Sequence, residues 1–144
     1  MLGMKSYSKE YIAACRSKID SDLAAYGRLP EAVKRVDGFE STFFNNLVLI
    51  LDYLFVHRLA SIDGKDGNPL NEVRVLSDSM LSNDNTMTSG TVGKSSQMRF
   101  NKAIKLTPET SVLKYTVGDE IKLNEADFVL LFNAFFAELE RKYL

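Results

Sequence analysis

The run "FFNNLVLILDYLFVHRL", residues 43–59, limits what this chain can become more than any other stretch. At helical spacing Phe43, Phe44, Leu47, Ile50, Leu51, Leu54 and Phe55 cover an arc wider than a surface helix presents. A membrane span needs about 20 apolar residues, and Asp52 interrupts this shorter run. The spacing therefore predicts a central helix from about Ser41 to His57, with other elements packed on several of its sides.

Those elements can be read from caps and periodicity. Ile12, Cys15, Ile19, Leu23 and Tyr26 mark one face of a helix over 8–26, closed by Gly27 and Pro30. A connector over 31–39, with room for a short helical turn, follows. Asn68 and Pro69 suit a helix start, and Leu70, Val73, Leu76 and Met80 set the apolar face of a third helix to about Leu81. Asn124 caps a last helix, 125–143, with acids in its first turn and Arg141 and Lys142 in its last, as the helix dipole favours.

Between the third and last helices the pattern changes. Val112 to Val117 and Glu120 to Leu123 flank Gly118-Asp119, the chemistry of a tight hairpin, and Ile104 to Leu106 alternate like a further strand. The expected fold is α+β, mainly α: a four-helix core with a small antiparallel β-hairpin between the third and fourth helices. Its 144 residues suit a single domain, 1–144, with a mobile surface loop over 82–98, where the sequence turns small, polar and aperiodic.

Charge excludes some partners. With 18 Lys+Arg against 19 Asp+Glu, the net charge of −1 gives no global attraction to nucleic acid or an anionic membrane. The N-terminal ten residues lack an apolar core of signal-peptide length. Cys15, the sole cysteine, has no internal disulfide partner and fits a buried thiol in a reducing, cytoplasmic setting.

Few residues carry recognisable chemistry. The loop "GKDGNP", 64–69, has glycines, Lys65 and a helix start, the ingredients of an anion cradle; it also lacks the P-loop pattern, and Asp66 would repel a phosphate. "SGTVGKSS", 89–96, echoes the end of a P-loop but lacks its first glycine and a preceding strand. His57 is the only histidine, which excludes a multi-histidine metal site. At helical spacing it shares a polar strip with Asn46 and Tyr53. Asp52 requires a cation if buried, with Arg16, Arg35 and Arg74 as candidates.

With "GKDGNPLNEVR" and "VGDEIKLNEADF" in view, together with "FFNNLVLILDYLFVHRL" and "AFFAELERKYL", the chain resembles a family of small uncharacterised bacterial proteins. The likeness covers most of the chain from Phe39 onward. It implies a soluble intracellular protein and brings no activity, cofactor or catalytic set.

The functional expectation is a non-catalytic protein-interaction or scaffold module that self-associates as a homodimer through surplus apolar helix faces, without cofactor or metal. The alternative is a small-anion or metabolite binder, or an enzyme, using Lys65, Gly67 and Asn68 of the loop with Asn46, Tyr53 and His57.

Overall fold

Four helices occupy the segments that periodicity and caps assign to them, in the computed structural model, which describes residues 3–88 and 104–144. These are α1 (Lys9–Gly27), α3 (Phe39–Leu54), α5 (Pro69–Ser82) and α6 (Glu125–Tyr143). Two single-turn helices, α2 (Glu31–Lys34) and α4 (Ala60–Asp63), lie in the connectors before α3 and α5. None of the helices among the described residues is long and apolar enough to cross a membrane.

The starts obey local chemistry. Ser8 Oγ accepts from the Tyr11 N–H at 3.0 Å, Asn68 Oδ1 accepts from the N–H groups of Leu70 and Asn71, and Asn124 and Asp127 form a reciprocal capping box. Each satisfies amides that a helix start leaves open.

α3 and α6 bring their aromatic faces together, so Phe44, Phe55, Phe128, Phe135 and Phe136 are sealed in the core with Leu51, and α5 packs against both helices. The wide apolar arc of α3 is thereby used within the monomer. α3 ends three residues earlier than the spacing predicts, at Leu54. Side chains claim the carbonyls at its end: Tyr11 Oη, from α1, donates to the Leu54 carbonyl at 2.6 Å, and Arg58 Nη1 to that of the capping residue Phe55 at 3.1 Å.

α5 departs from an amphipathic helix. Residues 70–80 are all buried, including Asn71, Glu72, Arg74, Ser77, Asp78 and Ser79. A helix covered on every side must find partners for such groups, and those partners organise the rest of the molecule.

The α+β expectation is not met: the described residues contain no strand, sheet or hairpin, only three isolated bridges, so the fold is helical with extended connections. The hairpin fails because its first arm has already committed its amides. Val112 and Leu113 N–H groups donate to the two carboxylate oxygens of Glu72 at 2.7 and 2.9 Å. The Lys114 N–H donates to Ser111 Oγ, and Lys114 itself turns to φ +64°. Extended pairing cannot pass through such a bend.

The second arm pairs elsewhere. Thr86 bridges Glu120 antiparallel, after a reversal in which Asp84 and Asn85 both take positive φ. Asn45 of α3 then imitates a neighbouring strand, its Nδ2 donating to the Ile121 carbonyl and its Oδ1 accepting from the Leu123 N–H. The Ile104–Leu106 segment likewise makes a single bridge, Lys105 to Asp66. The loop expected to be mobile over 82–98 falls mostly outside the described residues, as does the P-loop echo at 89–96.

Candidate functional site

The short turn from Phe55 to Asp63 separates two neighbourhoods that differ in every physical respect. On its inner side lies a knot of charge. Asp63 is 1% exposed, and both its carboxylate oxygens accept from Arg58 Nε, at 3.2 and 3.1 Å. Tyr143 Oη donates to Asp63 Oδ1 at 2.5 Å and lies 3.0 Å from the Leu59 carbonyl oxygen, while Arg74 Nη1 stands 3.8 Å from Oδ2. Arg58 also donates from Nη1 and Nη2 to the carbonyls of Phe55 and Leu70 and lays its guanidinium over the Phe135 ring.

Burial and the Asp63 contact hold the Tyr143 phenol protonated far above its ordinary range. Burial, reinforced by the Arg58 charge, pulls Arg74 down against the opposing pull of Asp63 and Asp78. These charges are taken from water and matched to one another, which fixes the junction of α4, α5 and α6.

The Gly64–Asn68 loop hangs from this knot. Asn68 Nδ2 donates to the Asp63 carbonyl and to Asp66 Oδ1, Asn71 Nδ2 to the carbonyls of Gly64 and Asp66, and Lys142 Nζ to the Asp63 carbonyl. Gly64 takes φ +83°, where a side chain is strained. Gly67 has a different reason: a Cβ there would collide with the Thr110 hydroxyl and stand 3.1 Å from the Lys105 carbonyl oxygen. Residues 104–111 therefore lie directly over the loop, and the side a ligand would approach is occupied by the chain.

On the outer side of the turn is a hollow of about 430 Å³, largely apolar, lined by Met4, Tyr7, Ser8, Tyr11, Leu54 and His57. The N-terminal segment forms one wall, tied down by the Met4 N–H on the His57 carbonyl at 2.6 Å and by the Leu59 N–H on the Met4 carbonyl. Tyr7 and Tyr11 stack with ring centres 5.6 Å apart, and both meet Phe55 edge to face. Burial pushes the Tyr11 phenol up to about 12, aided by its contact with Cys15 and by Tyr53 nearby. Around this hollow Met4 is 43%, Tyr11 41% and Tyr53 74% exposed.

The candidate residues are thus divided. His57 lines the hollow; Tyr53, exposed, does not line it but stands near Tyr11, which does; Lys65 is exposed on the loop; Gly67 and Asn68 are buried within it. Asn46 lies elsewhere, exposed in a second, polar hollow of about 760 Å³ where α2 and the start of α3 face residues 120–124. Lys34, Arg35 and Lys122 face Asp37, Glu40 and Glu120 there, a mixture with no dominant sign. The proposed cations for Asp52 are engaged elsewhere in part: Arg74 at Asp63, and Arg16 over the rings of Phe132 and Phe136. Among the described residues no group of His, Cys, Asp and Glu side chains could hold a metal ion.

Arg58, Asp63, Tyr143, Met4, Tyr7 and Tyr11 escaped the sequence reading. No helical or strand period links positions 58, 63, 74 and 143, and Met4 and Tyr7 precede the first helix; the only available signal was the density of polar residues at 63–74. No protein-family model, curated protein or solved structure gives a significant match to the chain.

Proposed function

We propose that the protein is a non-catalytic interaction module that self-associates through the aromatic hollow beside His57. The observation carrying this reading is an apolar concavity lined by the exposed Met4 and Tyr11, with the exposed ring of Tyr53 next in the chain to Leu54 of its lining and near Tyr11. Aromatic rings and methionine are what a contact centre uses, since they contribute large area with few rotatable bonds. A face with both a projecting ring, Tyr53, and a recess can pair with its own copy about a two-fold axis, each ring entering the other's recess. Most of the apolar arcs of α3 and α6 packs inside the monomer, and Leu54 of the α3 arc lines the hollow. A reducing, cytoplasmic setting suits the buried thiol of Cys15.

Sedimentation equilibrium of the full chain is the direct test. The expected result is a dimer at micromolar concentration that Tyr53→Ser converts to monomer with an unchanged circular dichroism spectrum. A wild-type monomer at high micromolar concentration would refute self-association.

A further inference from the structure

We propose that residues 104–115 form a strap that opens as a unit from the helical core, latched by the Glu72 carboxylate and fitted against Gly67. The strap is organised mainly by itself. Thr107 and Thr110 close a turn, the Ser111 N–H donates to the Thr107 carbonyl, and Lys114 Nζ donates to the carbonyls of Pro108 and Ser111.

Its polar ties to the helices and the loop are few among the described residues. Lys105 N–H donates to the Lys65 carbonyl at 2.7 Å, and Glu72 takes the amides of Val112 and Leu113. Ile104 and Ser111 are buried, while Leu106, Val112, Leu113 and Tyr115 pack only partly against the core. A segment with internal bonds, few tethers and partial apolar burial is the kind that detaches below the energy of global unfolding.

Glu72 is suited to be the latch because one side chain holds two amides, so its loss frees both together. Burial raises the Glu72 carboxyl above its ordinary range, against the pull of those two amides and of Lys114; the carboxylate is held there by the strap rather than by solvent. Opening uncovers the Gly64–Asn68 loop from the Thr110 side.

Native-state hydrogen exchange on the full chain, followed against denaturant, tests this. In wild type the Lys105, Val112 and Leu113 amides should exchange faster than those of Phe132 and Phe135 in α6, with a shallower denaturant dependence. Glu72→Ala should accelerate Val112 and Leu113 by about tenfold or more, since each loses a hydrogen bond, and leave the α6 rates unchanged. Gly67→Ala should accelerate Lys105 with Glu72 intact. Strap amides matching the α6 amides in rate and slope would overturn the proposal, as would unchanged Val112 and Leu113 rates in Glu72→Ala. Should Glu72→Ala not fold, Glu72→Gln, which keeps one acceptor of the two, and the wild-type slopes decide the matter.

Discussion

His57 and Arg58 are adjacent in the chain yet face opposite environments: the histidine lines an apolar hollow open to solvent, while the Arg58 side chain is 0% exposed and bound to Asp63. The two neighbourhoods share one wall, the ring of Tyr7, which lines the hollow and packs 5.6 Å from the ring of Tyr143. The inner one turns the donors of Arg58 and Tyr143 on the protein itself and so holds the fold, with the Arg74 Nε left without a hydrogen-bond partner there among the described residues; the outer one leaves the rings of Tyr11 and Tyr53 exposed, the surface that the proposed self-association would use. Polar residues at high density therefore mark structure here, and apolar ones mark the candidate contact.

The sharpest way to break that contrast is at Asp63. Asp63→Ala removes the acceptor shared by Arg58 and Tyr143 and leaves a desolvated guanidinium facing a void. Breaking a buried pair from one side costs about 3–5 kcal/mol, and urea denaturation should show a loss of that size. A loss below about 1 kcal/mol, the range of exposed ion pairs, would mean that water reaches the knot and that the inner and outer regions are alike.

How much of this the sequence disclosed depends on the range of the interactions. Ser8, Asn68 and Asn124 act on amides two or three positions away, so the starts of α1, α5 and α6 were legible. The hairpin was misread because its fate is decided by Glu72, forty residues before Val112, and by Asn45 on another helix. Tyr53 and His57 were singled out by helical spacing, although His57 lies beyond the end of α3. The knot was invisible as a unit because its members meet only once α4, α5 and α6 are packed.

Tyr143→Phe is a milder break of the same region. It deletes the hydroxyl that contacts Asp63 and the Leu59 carbonyl, at an expected cost of about 1–3 kcal/mol. It also changes the response to base. Burial and Asp63 raise the Tyr143 phenol above its ordinary value of 10.0, so the unfolded chain releases this proton first as pH rises. The corresponding stability is complete below pH 10 and declines above it. The variant should lose part of that alkaline decline, keeping the share due to Tyr7, Tyr11, Tyr26 and Tyr115, whose phenols burial also raises.

Changes on the outer side should move stability far less. Tyr53 is 74% exposed, so Tyr53→Ser should alter the unfolding free energy of the monomer by less than about 0.5 kcal/mol while abolishing the proposed self-association. A large loss of monomer stability would place Tyr53 within the fold instead of on a contact face.

The smallest loss of stability, none or even a gain, belongs to the shared wall, and it separates the regions most finely. The Tyr7 hydroxyl is buried without a hydrogen-bond partner among the described residues, close enough to Arg58, Asp63 and Arg74 to feel their charges. Tyr7→Phe keeps the ring contacts with Tyr11, Phe55 and Tyr143 and removes only a desolvated hydroxyl, which costs roughly 1–3 kcal/mol when unpaired. The variant should therefore be as stable as wild type or more so, whereas Tyr143→Phe, a ring away, should be less stable. If thermal or urea denaturation instead shows Tyr7→Phe losing about 1 kcal/mol or more, the value of a made hydrogen bond, the hydroxyl is bonded in solution. Tyr7 would then belong to the knot, and the hollow would be lined by a residue that the fold itself requires.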